Sequence, residues 1–154
     1  MRRERNPNTL RVIVCGGREF NDKAMLSRVL WYVHERRGIA EVIHGGQRGA
    51  EQMANRWCFE MGIRRVEVRA EWGRYGSTKA LMIRNRQMFA LQPHGVIAFP
   101  SDRNSQTMVQ SARELHVPVL DVEALLAKQK RRAQEATICE IAPGASAIHN
   151  SWRA

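Results

Sequence analysis

Two short stretches bring arginine next to paired glycines: Gly16-Gly17-Arg18, and Gly45-Gly46-Gln47-Arg48-Gly49. Adjacent glycines allow positive φ and let the backbone come close to a ligand with no Cβ in the way. A guanidinium at such a turn can bind phosphate or carboxylate oxygens through two parallel hydrogen bonds. In the second stretch Ala50, Met53, Ala54, Trp57, Cys58 and Met61 recur at helical spacing, so a helix opens at or just after Gly49. Its first N–H groups are unpaired and its dipole is positive there, which suits an anion, most often phosphate. The competing reading is a turn that only packs helix on strand, with the arginines exposed at its edges. The second stretch is not a Walker A loop, because no Gly-Lys-Ser/Thr follows, and it lacks the full G-x-G-x-x-G spacing.

Other side chains near these turns can carry chemistry. Glu51 falls in the first helical turn, where a carboxylate suits the dipole with or without a ligand. As a catalytic acid or base it would need a partner and a positioned water, and Asp102 and Glu19 are the only nearby acids on offer. His44 can titrate near neutral pH, against a structural, hydrogen-bonded role. Trp72 and Tyr75 can stack on a nucleobase or anchor a loop. Arg84 and Asn85 are consecutive in a helical stretch, so their side chains diverge by about a quarter turn; one would bind while the other braces. Cys15, Cys58 and Cys139 are odd in number and widely spaced, which indicates neither a disulfide framework nor a zinc site. Neither a metal nor a cofactor is expected.

The elements that hold these residues alternate. Leu10 to Cys15 reads as a strand; Asn21 or Asp22 caps a helix with Met25, Leu26, Val29, Leu30 and Val33 on one stripe, and Gly38 stops it. A strand ends at Ile43, the helix after Gly49 ends at Gly62, and Arg65 to Arg69 alternates as a strand nearer an edge. Ala70 to Ser77, with two glycines and two aromatics, reads as a loop able to cross the mouth of a site, followed by a helix from Ser77 or Thr78 to about Leu91. Gly95 to Phe99 is an apolar strand, Pro100 to Ser105 a polar turn, and Gln106 to Leu115 a helix. Pro118 to Leu120 is a fifth strand, and Asp121 caps a last helix ending among Lys128 to Arg132. Strict alternation implies an α/β fold: one doubly wound, Rossmann-like domain over residues 10–132, with a five-stranded parallel sheet of order 3-2-1-4-5 and helices on both faces. Residues 1–9 form a basic arm and 133–154 a flexible tail. In such sheets ligands bind beyond the carboxyl ends of the strands, where the Gly16, Gly45 and Pro100 turns all fall.

The 154 residues suffice for one core, and no apolar run approaches a bilayer's thickness. Behind the basic start there is no apolar segment of secretory type, and with unpaired cysteines this points to the cytoplasm. Formal charge is +10, half of it in residues 1–9 and 128–154, which favours anionic partners.

Taken in order, VIVCGGREF, VIHGGQRGAE, AEWGRYGSTKALMIRNRQM and VIAFPSDRNSQTM resemble the SLOG superfamily of nucleotide-binding Rossmann-like domains, and within it the YspA-like, cpYpsA-related group. The resemblance spans about Leu10 to Val122. It implies a nucleotide or nucleotide-derived ligand over the glycine turns, with Gly16, Gly17, Arg18, Gly45, Gly46, Arg48, Gly49, Arg84 and Asn85 binding it, and a homo-oligomeric state; Gln47, inside the second turn, is a further candidate ligand-binding residue. Glu51 stands where the family usually has Asp. The fourth motif usually reads Phe-Pro-Gly-Gly, and here Pro100 is followed by Ser101 and Asp102, whose side chains would crowd and repel a phosphate. These features imply a binding module for a phosphate-containing nucleotide derivative, of ADP-ribose-like or cyclic type, acting as sensor or sequestering protein. The alternatives are a nucleotide N-glycosidase or phosphoribohydrolase using Glu51, and a single-stranded nucleic-acid-binding protein drawing on the basic tails.

Overall fold

In a computed structural model the described residues are 9–100 and 102–141. Most of the basic arm, Ser101 and the tail from residue 142 lie outside them. The elements run β1 (Leu10–Cys15), α1 (Lys23–Arg37), β2 (Ile39–His44), α2 (Ala50–Met61), β3 (Arg64–Glu67), α3 (Trp72–Ala90), β4 (Gly95–Ala98), α4 (Arg103–Glu114), β5 (Val119–Asp121) and α5 (Val122–Ile141). The strands form a single sheet of order β3-β2-β1-β4-β5, parallel throughout, as strict alternation requires. Because β1 lies between β2 and β4, the chain reverses its direction of winding there, and a crevice opens beyond the ends of these strands.

The pleat divides the apolar residues between two layers. Ile13, Cys15, Ile43, Val96 and Ala98 meet Met88 of α3 and Met108 and Ala112 of α4. Val12, Val14 and Val42, buried on the alternate side, belong to the layer of α1 and α2, which pack on each other. Asp22 caps α1, its Oδ1 accepting the Met25 N–H at 3.0 Å, and Gly38 and Gly62 close α1 and α2.

Three elements differ from their expected form, the first being α4, which starts at Arg103 inside the expected Pro100–Ser105 turn because Asp102 caps it. The segment expected to be a loop before Ser77 is helical from Trp72, with the N–H groups of Arg74 and Tyr75 both donating to Glu71 O at 3.1 Å. It is broken at Gly76, whose φ of 75° and ψ of 175° are not helical. The glycine and aromatic content therefore marks a kink between two helical segments. The last helix reaches Ile141, past the expected end near Arg132. Ala133, Gln134, Glu135 and Ala136 are strong helix formers that sustain a helix without an apolar stripe. The chain divides into two compact units, residues 1–122 and 123–154. Within the second, positions 123–139 of α5 are exposed except for the partly covered Leu125 and Leu126. No helix among the described residues is long and apolar enough to cross a membrane.

Candidate functional site

The turn after β2 is held from below by His44, which is 2% exposed. Its Nδ1 accepts the Gly46 N–H at 3.1 Å, so Nε2 carries the proton and donates to Asn55 Oδ1 at 3.0 Å. Burial lowers the His44 pKa from its usual value against the opposing effect of the Asn55 bond, keeping the ring neutral. The histidine thus fixes the shape of the turn. Gly46 has a φ of +76°, and the Glu67 carboxylate stands where a Cβ there would project.

The two glycine turns touch. Gly49 has a φ of +94°, and a Cβ on it would run into the carbonyl of Gly17 and come within 2.8 Å of the Arg18 carbonyl. Gly16 lies against Ala50 and Phe99, and the Gly17 N–H donates to Pro100 O at 2.9 Å. Loops from β1, β2 and β4 therefore meet at one place on the rim. Asp102 completes the junction: its Oδ1 accepts the Ser105 N–H and hydroxyl at 3.1 and 3.0 Å, capping α4, and its Oδ2 accepts the Arg18 N–H at 3.4 Å. A carboxylate of the chain itself thus sits at the start of α4.

Beside this junction α3 presents a buried guanidinium. Ala80, Arg84, Asn85 and Met88 share the inward side of α3, and Arg84 is 4% exposed. Its Nη1 lies 2.5 Å from the place a Cβ on Gly45 would take, and its Nη2 donates to Asn85 Oδ1 at 3.5 Å. Nε is buried with no partner, and no carboxylate among the described residues forms a salt bridge with Arg84. Burial lowers the Arg84 pKa, a shift that the charge of Glu51 opposes. Arg84 forms part of the wall of a cavity of about 520 Å³ together with Arg18, Arg69, Glu67, Gly45, Gly46 and Gln47. A second cavity of about 490 Å³ is lined by Ser77, Thr78, Leu81, Met82, Asn85 and Thr107, and shares Arg18 and Trp72 with the first.

The remaining residues singled out from the sequence are placed as follows. Arg48 is bound to Glu19 by an exposed ion pair at 3.0 Å and lines neither of these cavities. Arg18 therefore meets Arg84, not Arg48, across the cavity. The Gln47 N–H donates to Glu51 Oε2 at 2.8 Å, while its Nε2 is buried without a partner. Glu51 is 3% exposed, and burial raises its pKa against the Gln47 and Gly45 N–H groups and the Arg84 charge. It braces the turn and lines neither cavity. Trp72 lines both cavities, whereas Tyr75 lies beneath the Arg74 guanidinium, 5.2 Å from its ring centre, and lines neither. Burial pushes the Cys15 thiol up to about 12, the opposite of the shift that activates a thiol. No cluster of His, Cys, Asp or Glu suited to a metal ion occurs among the described residues. Sequence reasoning did not single out Glu67, Arg69, Met82 or Thr107. Glu67 was within reach, since the carboxyl end of β3 reaches the same rim.

A doubly wound parallel domain of this strand order, with a basic cavity beside the turns that follow its strands, is a Rossmann-like domain. Its lineage is more particular: residues 10–75 match the model of the YspA, cpYpsA-related SLOG family, and the chain belongs to that family. It is also similar to the Gene 61 protein of Mycobacterium phage D29, with 30% identity over 119 residues, covering 72% of this chain and 94% of that protein.

Proposed function

We propose that the protein binds a phosphate-containing nucleotide derivative, as a sensor or sequestering module, with the phosphate held between the Gly45–Gly49 turn, Arg84 and Arg18. The observation that carries this reading is Arg84: a guanidinium 4% exposed, without a salt-bridge partner and with an orphaned Nε, at the wall of a cavity. Burying an unpaired charge is costly, and a bound phosphate would supply the missing partner. Family membership supports a nucleotide-like ligand.

Native mass spectrometry of freshly purified protein tests occupancy, and calorimetry with ADP tests the site. Replacing Arg84 by Gln weakens ADP binding by about 10- to 100-fold, the effect of losing hydrogen bonds to a charged group. Unchanged affinity in that variant overturns the reading.

Hydrolysis of a nucleotide bond, with Glu51 as acid, is the second reading: burial raises the pKa of its carboxyl, but Glu51 lines neither cavity, so a substrate would have to displace the Gly45–Gly49 turn to reach it. It requires turnover of nucleoside monophosphates that disappears in Glu51→Gln while binding persists. Activity surviving in that variant removes Glu51 from the chemistry.

A further inference from the structure

We propose that Glu67 is a built-in occupant of the empty site: its carboxylate lies where an anionic group of the ligand goes, and binding proceeds by displacing it from the turn and from Arg69. This rests on the phosphate reading above and adds how the site is guarded and how it lets its ligand go.

The turn after β2 has little left to offer an anion. The Gly46 N–H is given to His44 Nδ1, and the Gly45 and Gln47 N–H groups to Glu51. An anion at this turn must therefore be held by side chains, and the cavity brings three guanidinium groups, from Arg18, Arg69 and Arg84, against one carboxylate, Glu67. Glu67 stands on the turn, with Cδ 2.8 Å and Cγ 3.2 Å from the position a Cβ on Gly46 would take. Arg69 grips it as a fork, Nε to Oε1 at 3.1 Å and Nη2 to Oε2 at 3.4 Å. A guanidinium binds phosphate in the same way. One of the three arginines is thus already engaged by a group of the chain itself.

Of the carboxylates at these turns, Asp102 and Glu51 are fixed and Glu67 is not. Asp102 holds the Ser105 N–H and hydroxyl and the Arg18 N–H, while Glu51 is 3% exposed and bonded to the backbone. Among the described residues the Glu67 carboxylate is hydrogen-bonded by Arg69 alone, and the two side chains are 38% and 80% exposed. An ion pair so open to water contributes little, because solvent screens it and two long side chains give up freedom to hold it. A phosphate at the same place also engages Arg84, which has no salt-bridge partner among the described residues, so the exchange runs toward the ligand. Glu67 cannot remain beside it, since two anions at one turn repel. Its exposure lets the side chain turn out to solvent and free Arg69. When the ligand leaves, the pair re-forms. Such a site fills only above a threshold concentration and empties readily, which suits a sensor and not a sequestering protein.

The test is calorimetry with pyrophosphate and ADP on the full chain and on Glu67→Gln, Arg69→Gln and the double variant, with thermal melts checking that each folds. Glu67→Gln binds both ligands about tenfold more tightly than the wild type, the effect of removing a like charge and releasing a charged donor. Arg69→Gln weakens binding by about threefold or less in the wild-type background, where Arg69 exchanges one anion for another, and by about tenfold in the Glu67→Gln background. A carboxylate that only repelled the ligand would tighten binding on removal without changing the effect of Arg69→Gln, so equal effects in the two backgrounds overturn the displacement. Affinity unchanged or lowered in Glu67→Gln overturns it as well. In either case pyrophosphate binding that depends on Arg84 leaves the phosphate reading standing. If all four proteins bind neither ligand, the phosphate reading itself fails and this inference with it.

Discussion

The guanidinium of Arg84 rests on the bare backbone of Gly45, with Nη1 2.5 Å and Cζ 3.0 Å from the position a Cβ there would take. A helix residue from one part of the chain thus fills the space that a glycine leaves open at the end of a strand almost forty positions earlier. The consequence for Gly45→Ala is specific. The obstructing atoms belong to the tip of a flexible side chain, so stability falls by about 1 kcal/mol or less. Arg84 must swing away, however, and ADP affinity falls about as far as in Arg84→Gln. The double variant loses no more than either single one, because both remove the same contact. Calorimetry and thermal melts of the three variants check this.

Arg84 itself is held at a cost to the fold. A buried guanidinium with no salt-bridge partner carries a desolvation cost that an apolar group of similar volume removes, against the loss of its favourable charge effect on Glu51. Arg84→Met is expected to gain about 1 to 3 kcal/mol in urea denaturation while ADP binding is lost. A destabilised Met variant would mean that Arg84 is chiefly a structural brace.

Gly49 answers to different physics from Gly45. Its φ of +94° disfavours any Cβ, and the atoms in the way are the fixed carbonyls of Gly17 and Arg18. Gly49→Ala is expected to cost about 1 to 3 kcal/mol, clearly more than Gly45→Ala, and to separate the two turns. Urea midpoints of the two alanine variants, measured side by side, decide the comparison.

The Glu51 carboxyl titrates higher in the folded chain than its ordinary value of 4.5, mainly because it is buried. Ionised Glu51 therefore costs stability at neutral pH, and that cost is relieved as pH falls through the raised value toward 4.5. Glu51→Gln has no such titration. Lowering pH from about 7 to about 5 should shift melting temperature in favour of the wild type relative to Glu51→Gln. A difference that does not vary with pH would contradict this assignment of the shift.

Strand order and the ends of α1 and α2 could be read from the sequence because they follow from local rules, whereas the expected Ser77 or Thr78 cap and the Asp102 cap of α4 could not. The apolar strands, Asp22 before α1 and the glycines after α1 and α2 act over a few residues. The pairing of Arg48 with Glu19 could not, because both side chains are exposed on separate turns and nothing in their spacing sets the distance. Two arginines after glycine turns looked equivalent in the sequence. Folding places one at the cavity and ties the other to a neighbouring acid. The partnership of Arg84 with Gly45 was equally hidden, since a helical repeat can bury a position without saying which strand end it will meet. At Gly76 composition indicated irregular backbone, and the geometry resolved it as a single kinked residue.

Asp102 has a consequence for how any ligand must lie. The start of α4 already holds a tethered counter-ion supplied by the chain itself, so a diffusible anion reaching the rim finds that berth taken and meets repulsion there. At the turn before α2 the chain's own carboxylate, Glu51, takes the Gln47 N–H from the inner side, and the Arg84 and Arg18 guanidinium groups line the cavity beside that turn. For the phosphate-containing ligand proposed above, this turns the negative part away from β4 and toward β2.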